Sequence, residues 1–369
     1  MNKRLAVIVG GPSPEHDVSI LTGLQAARAL ADIGYDVSVL YWSKQGRWSL
    51  HEPTLEASAF ADGVPAGGKD VDWQLGTDPG LVVKGRLGRT SKVEIDVAVV
   101  GCHGAPGEDG HLQALLELAG IAYTGPTLRE AALCMDKLAF AAFAASLGLP
   151  VAKRILIAGG KPITPGFDGP YVLKPRFGGS SLGVEVVDTI DDAVALIKSQ
   201  SLYAAGAYVE QMLDGWYDVN VAMRNYPEPT LSEFERPIGK GVGALSYDDK
   251  YVSGEGMAGA ARELPANITP ELRKQLGDAA SAIAAALPAR GVMRLDFMTD
   301  GTSYVVNELN ALPGSWAKYL WSGTPQQAFK TLLTGLIEEA GARGVGRWTS
   351  QGADGRLLRD AHSIASKLA

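Results

Sequence analysis

The feature that most constrains this chain is a short apolar run, residues 5–9, between Lys3-Arg4 and Gly10-Gly11. It is too short for a buried helix, and two glycines stop it, so it reads as a buried strand. Helical spacing follows at Leu21, Leu24 and Leu30, and residues 37–42 read as a strand again. The pattern returns with a strand at 97–100, a short helix at 112–118 and a short strand at 121–123. Strands alternating with helices imply a parallel sheet covered on both faces. Residues 43–94, rich in Gly, Asp and Pro, read as long loops with short strands. A doubly wound α/β domain is therefore expected over 1–125.

With 369 residues the chain has room for two or three domains of roughly 150 residues each. A second unit starts near Pro126, where Thr127 and Glu130 form a capping box that opens a helix containing Lys137. Residues 172–174 read as a strand, then a Gly/Ser turn, then a strand at 184–187. Thr189 with Asp192 caps a helix to about residue 198. This predicts a small α+β domain over 126–210. In the third unit, 211–345, Thr269 is an N-cap, Pro270 opens the helix, and Leu272, Leu276, Ile283 and Leu287 form one stripe. Residues 293–298 and 304–310 read as strands around Asp300-Gly301. The tail, 346–369, is polar and weakly patterned, and no repeat or low-complexity tract is present.

Composition narrows the function. Thirty-four basic against 41 acidic residues give a net charge of −7, which argues against general binding of nucleic acid or of an anionic membrane surface. The longest uncharged stretch, 138–152, is shorter than the ~18 residues of a membrane span. It ends at Gly148 and Pro150, as a soluble helix does. Residues 5–9 are too few for a secretory h-region of roughly 7–15 residues. Cys102 and Cys134 form no disulfide framework and lack metal-ligand spacing, so they read as packing residues. A reduced, cytoplasmic protein is expected.

The paired strands carry the most chemistry. Period-2 alternation puts Arg294, Asp296 and Met298 on one face of the first, and Tyr304, Val306, Glu308 and Asn310 on one face of the second. The faces coincide only across an odd loop, which predicts three or five residues there. Two carboxylates and an amide oxygen are hard ligands suited to Mg²⁺ shared with phosphates. Asn310 leads into Leu312-Pro313-Gly314, a turn able to present N–H groups to an oxyanion.

Lys174 leaves its strand into Gly178-Gly179-Ser180-Ser181-Leu182-Gly183, a turn able to cradle phosphates, although the Gly-x-x-x-x-Gly-Lys-Ser/Thr loop is absent. Lys137 is a second cation. Read alone, a lone surface lysine and a glycine turn are more often structural. Gly10-Gly11-Pro12-Ser13-Pro14-Glu15-His16-Asp17 lies at the carboxyl end of a parallel strand, where open sheets bind ligands, and Glu15 could hold an amine. His103-Gly104 and Gly107-Glu108-Asp109-Gly110 follow strand 97–100 in the same way, so His103 shares that rim. Tyr247-Asp248-Asp249-Lys250-Tyr251 reads as a mobile loop from which Lys250 could reach a phosphate.

In their joint order and spacing these motifs resemble the D-alanine–D-alanine ligase family of ATP-grasp enzymes. The resemblance covers about residues 4 to 342. Its carriers are Glu15-His16-Asp17-Val18-Ser19, His103-Gly104 with Gly107-Glu108-Asp109-Gly110, and Met135-Asp136-Lys137. They continue with Lys174-Pro175 and Gly179-Ser180-Ser181-Leu182-Gly183, Asp249-Lys250-Tyr251, Arg294-Leu295-Asp296, and Glu308-Leu309-Asn310 with Pro313-Gly314.

The resemblance implies three domains, with ATP between the second and third. It also implies a two-step reaction in which ATP phosphorylates one D-alanine and the amine of a second amino acid attacks the acyl phosphate. Lys137 and Lys174 would hold ATP phosphates, with Lys250 closing over them. Glu210, Gln211, Met212 and Leu213 would form the adenine hinge. Asp296, Glu308 and Asn310 would hold two Mg²⁺, with Mn²⁺ as the substitute ion. Glu15 would bind the first ammonium, tied to Ser180 and Tyr251, with His103 nearby. Arg294 and the Gly314 N–H would stabilise the tetrahedral intermediate. A homodimer is implied, and the partners are small amino acids rather than nucleic acid or membrane.

Two departures bear on specificity. Asp218 stands near, but not at, the position of the family's ribose-binding Glu. Where the family places a Ser for the acceptor carboxylate, this chain has Tyr319, flanked by Lys318 and Leu320. The donor side looks intact and the acceptor side changed. The leading expectation is a D-alanine–D-alanine ligase of peptidoglycan precursor synthesis. The rivals are an amide ligase with another acceptor in specialised metabolism, and an ATP-binding protein without turnover.

Overall fold

The computed structural model describes residues 3–369 apart from 86–88, 162–163, 239–260, 322–323, 347, 360, 362–363 and 366–369. The N-terminal sheet is built on β1 (Arg4–Gly10), α1 (His16–Asp32) and β2 (Asp36–Trp42). It continues through β3 (Trp48–His51), β4 (Lys69–Gln74), β5 (Gly80–Lys84), β6 (Thr90–Val93) and β7 (Val97–Val100). The strand order is β6-β5-β4-β3-β2-β1-β7. Strands β2, β1 and β7 are parallel, as the β–α–β alternation implies. The stretch expected as loops with short strands adds an antiparallel wing, β3 to β6. Pro53, Asp62, Gly63, Gly76 and Asp78 fall between its strands, and a tryptophan row holds the wing together. Trp42 stacks on Trp48 at 4.6 Å, and Trp48 meets Trp73 edge-on at 5.2 Å. Because β1 and β7 are adjacent and parallel, the loops leaving their carboxyl ends share one rim. After β7 comes α2 (His111–Leu118).

The helix expected after Thr127 is two helices, α3 (Leu128–Met135) and α4 (Lys137–Ser146). Glu130 Oε2 accepts from the Thr127 N–H at 2.7 Å, completing the capping box. Asp136 then breaks the helix. Its carboxylate accepts from the N–H groups of Leu138 and Ala139 at 3.1 and 3.2 Å, which caps a new helix. Lys137 is therefore the first residue of α4, not an interior one. Cys134, Phe140 and Ala144 pack in the core of the C-terminal sheet, so residues 128–146 pack with that unit.

The central sheet is antiparallel, with β8 (Arg154–Ile157), β9 (Tyr171–Pro175), β10 (Glu185–Val187), α5 (Ile190–Ser199) and β11 (Ala207–Gln211). Its order is β10-β9-β11-β8. The C-terminal unit adds β12 (Tyr217–Arg224), β13 (Thr230–Pro237), β14 (Arg262–Glu263), α6 (Pro270–Ala286), β15 (Val292–Thr299) and β16 (Tyr304–Asn310). Its order is β14-β13-β12-β15-β16. A turn at Gly314–Leu320, α7 (Pro325–Arg343) and the short α8 (Arg356–Arg359) follow. Leu272, Leu276 and Ile283 of α6 cover one face of this sheet, against Val219, Val221, Leu295, Phe297 and Leu309. With that face apolar and covered, the alternating polar residues of β12, β15 and β16 are left on the other face. Trp348, Leu357 and Leu358 in the tail are exposed.

Candidate active site

The β15–β16 hairpin shows how the polar face is assembled. Thr299 pairs with Tyr304, which leaves residues 300–303 as the loop. That even length corrects the odd loop expected from the sequence. Asp300 Oδ1 closes it, accepting from the Thr302 and Ser303 N–H groups at 2.8 and 2.7 Å. The register then shifts: Phe297 pairs with Val306, but Asp296 pairs with Glu308 and Arg294 with Asn310. Asn307 is an extra residue, a bulge that rotates the end of β16 back onto the face of Arg294 and Asp296. Loop and bulge together have the parity the sequence argument assigned to the loop alone. Arg154 Nη2 holds the bulge, donating to the Asn307 carbonyl at 2.9 Å.

On this face Arg294 grips Asp296 in a fork, with both N···O distances at 2.6 Å. Asn310 Nδ2 donates to Asp296 Oδ2 at 3.0 Å. Glu308 Oε2 receives Lys137 Nζ at 2.8 Å, and Lys137 also donates to the Gly178 carbonyl at 2.8 Å. The start of α4 thus lies between the Gly/Ser turn and the acidic row. Lys174 Nζ donates to Glu210 Oε1 at 2.7 Å, and Arg154 pairs with the other Glu210 oxygen. Burial disfavours the Glu210 charge, but Lys174 and Arg154 outweigh it and hold the carboxyl below its ordinary range. A cleft of about 480 Å³ lies between Lys137, Lys174, Leu182, Val184, Asn307 and Glu308.

The N-terminal rim closes the other side. Ser180 Oγ donates to Glu15 Oε1. To reach it, Ser180 and Ser181 take left-handed φ values of 54° and 58°, uncommon without glycine. His103 is buried, with Nδ1 3.1 Å from the Leu312 carbonyl and Nε2 3.1 Å from Thr22 Oγ1. A carbonyl can only accept, so Nδ1 carries the proton and Nε2 accepts from Thr22. Burial lowers the His103 pKa, which keeps the ring neutral. His103 thereby ties the rim to the turn that presents Gly314. Beyond Gly314, three successive residues, Ser315, Trp316 and Ala317, take φ near 50°. The buried Trp316 side chain lies against Phe329 within the core that holds this turn.

Family models match two stretches of the chain, "D-ala D-ala ligase N-terminus" over residues 4–126 and "D-ala D-ala ligase C-terminus" over 162–337. A D-alanine–D-alanine ligase of Chlorobaculum tepidum is 32% identical over 84% of this chain and 88% of its own length. The chain belongs to the D-alanine–D-alanine ligase family. As a member it is an ATP-dependent ligase. Vancomycin B-type resistance protein VanB of Enterococcus faecalis is 31% identical over 86% of this chain and 93% of its own. Among solved structures, the VanG D-Ala:D-Ser ligase of Enterococcus faecalis has a TM-score of 0.73 at 25% identity, covering 92% of this chain and 100% of its own.

Other expected site residues of this ligase have different placements. Gln211 ends β11, and Met212 and Leu213 lie in the link to β12, between the central and C-terminal sheets. Asp218 is on β12, paired with Met298. Tyr319 accepts from Arg294 Nη1 at 3.3 Å. Lys318 does not join this cluster: it donates to Gln25 Oε1 at 2.7 Å and lies over the Phe329 ring. Leu320 is buried, and its side chain belongs to the core shared by α1 and α7. Lys250 and Tyr251 lie outside the described residues. Cys102 and Cys134 are buried free thiols whose burial raises their pKa.

The sequence reading passed over Glu235, Asn220 and Arg262. Registers place Glu235 opposite Asn220, Asn220 opposite Asp296, and Asp296 opposite Glu308, one polar row across four strands. The available signal was the alternation of Asp218, Asn220 and Ala222 with Val219, Val221 and Met223.

Proposed function

We propose that this ligase activates a D-alanine-like carboxylate with ATP and joins it to the amine of a second small amino acid, for peptidoglycan precursor synthesis. The observation that carries the reading is the Glu15–Ser180 hydrogen bond. It joins the acid at the carboxyl end of the parallel sheet to the turn that follows Lys174. A donor whose ammonium rests on Glu15 would point its carboxylate toward phosphates held by Lys137 and Lys174. Transfer of the γ-phosphoryl group gives the poor electrophile a leaving group. The acceptor nitrogen then forms the C–N bond as the C–O bond to phosphate breaks and the amine sheds its protons. Arg294 and the Gly314 N–H would take up charge on the tetrahedral oxygen.

Asp296, Glu308 and Asn310 suit a hard divalent cation. Among the described residues no group of three or more His, Cys, Asp or Glu stands ready to hold a metal. Phosphate oxygens would therefore complete the coordination, as is usual for Mg²⁺. Mg²⁺ held by these residues would supply charge neutralisation at the transferring phosphoryl group. The intact row of Arg294, Asp296, Glu308 and Asn310 favours turnover over a binding-only protein. Gln211 to Leu213 would hold adenine, Asp218 the ribose, and Lys250 and Tyr251 would close the site. No described helix is long and apolar enough to cross a membrane, and we place the enzyme in the cytoplasm, as a homodimer.

A second reading, with the same donor and another acceptor, is favoured by Tyr319 beside Arg294. The names of relatives differ at this point: one is a putative D-alanine–D-lactate ligase of Streptomyces coelicolor, another a D-Ala:D-Ser ligase. The test is ADP release with mass spectrometry of products, in ATP and Mg²⁺, with D-alanine alone and then with a panel of amino and hydroxy acids. D-alanyl-D-alanine from D-alanine alone supports the first reading. A ligated product only with another acceptor supports the second, and no ADP release with any combination overturns both.

A further inference from the structure

We propose that Glu235 and Arg262 are positioning residues for the acceptor half of the site, holding Tyr319 and, through it, the Arg294 guanidinium. This rests on the ligase reading above and adds two residues to it. Arg262 lies over the Tyr319 ring at 4.2 Å and donates from Nη1 to Glu235 Oε2 at 2.9 Å. Glu235 Oε1 accepts from Asn220 Nδ2 at 3.3 Å. At the other end, the Tyr319 hydroxyl accepts from Arg294 Nη1 at 3.3 Å, while the remaining face of Arg294 is clamped on Asp296.

The phenol therefore stands between two guanidiniums, one on its face and one on its oxygen. Two like charges sharing one ring repel unless a counter-charge lies beside them. Glu235 is buried, pairs directly with Arg262, and through Asn220 lies in the strand row that carries Asp296, the partner of Arg294. The stacking face requires a planar guanidinium, which a lysine does not offer. The Tyr319 oxygen accepts from Arg294, so its own proton points elsewhere. An acceptor carrying a carboxylate beside its nucleophilic group would receive that proton. Glu235 and Arg262 act on the acceptor through Tyr319.

The experiment is two-site steady-state kinetics on the full chain, separating the constants for ATP, donor and acceptor. The variants are Tyr319→Phe, Glu235→Gln, Arg262→Lys and the double variant Glu235→Gln/Tyr319→Phe. Each single variant is expected to raise the acceptor constant about tenfold, the scale of one hydrogen bond to a charged group, with the ATP and donor constants within about twofold. The double variant should be no worse than the worse single, because both changes act on one phenol. Additive losses, or equal changes in all three constants together with a lower melting temperature, would overturn the proposal. If Glu235→Gln does not fold, Arg262→Lys with Tyr319→Phe makes the same cycle. A wild-type enzyme that ligates no acceptor removes the ligase reading itself. A wild-type enzyme that ligates while its variants show no split removes only this inference.

Discussion

At the donor end the chain leaves no room for a side chain at residue 104. A Cβ on Gly104, which has φ of 68°, would lie 2.4 Å from Ser13 Oγ and 2.7 Å from Glu15 Oε2. Gly104→Ala should therefore cost about 1–2 kcal/mol in backbone strain alone and displace Glu15. We expect a lower urea midpoint and at least about a tenfold rise in the donor constant; an unchanged donor constant would refute the donor role of Glu15. Beside it, Glu108 is largely but not fully enclosed and accepts from the Gly104 N–H at 2.7 Å. Burial first, and then the charge of Glu15, push the Glu108 carboxyl up to about 8. The folded protein keeps a proton there that the unfolded chain releases near 4.5. That contribution to stability is complete below the unfolded value and is lost as pH rises toward 8. Urea unfolding at about pH 5 and pH 8 should show Glu108→Gln gaining on the wild type as pH rises, by at most about 1.4 kcal/mol per pH unit. A gap independent of pH would contradict this. The motif around Glu108 was legible in the sequence, but its protonation was not, because burial comes from residues distant in sequence.

Among the elements, the β15–β16 hairpin depends on one residue. Deleting Asn307 removes the bulge and turns Glu308 and Asn310 toward the apolar core. Burying an unpaired carboxylate costs several kcal/mol, so the deletion should abolish ligation and the cooperative urea transition together. A folded, active deletion variant would show that β16 re-registers freely. The alternation of the first strand was readable, as were the caps at Thr127, Thr189 and Thr269; that of the second was not, because the bulge puts Tyr304 and Val306 on the apolar face and Glu308 and Asn310 on the polar one. Strand pairing was not, because loop length and bulges add up to one parity, and only the paired structure shows how the total is divided. The break at Asp136 was missed for a similar reason. An acidic residue in a helical pattern becomes a cap only when its side chain turns onto the next N–H groups, and here Arg176 fixes it there at 2.9 Å.

Over the whole molecule, the N-terminal and C-terminal units share one core. Leu24 and Leu30 of α1 lie in the same cluster as Leu332, Leu333 and Ile337 of α7. Arg290 fastens the two units, stacking on Tyr123 at 4.4 Å and donating to the carbonyls of Tyr123 and Gly125. Next to it, a Cβ on Gly291 would stand 2.7 Å from Gly125 Cα. Arg290→Ala leaves buried carbonyls without a donor, at about 1–3 kcal/mol each. We expect a large drop in the urea midpoint and a transition that splits in two relative to the wild type; an unchanged midpoint would mean the two units are held by apolar packing alone. The sequence by itself determined the strand–helix alternation that opens the chain, the helix caps, the glycine turns and the family, because these depend on local spacing and on motifs carried along the chain. The tertiary structure alone decided that Lys318 turns to Gln25, that Glu235 joins the row of Asp296 and Glu308, and that the outer units merge. Each of those outcomes depends on which distant strand or helix supplies the neighbour, and local patterns carry no record of that.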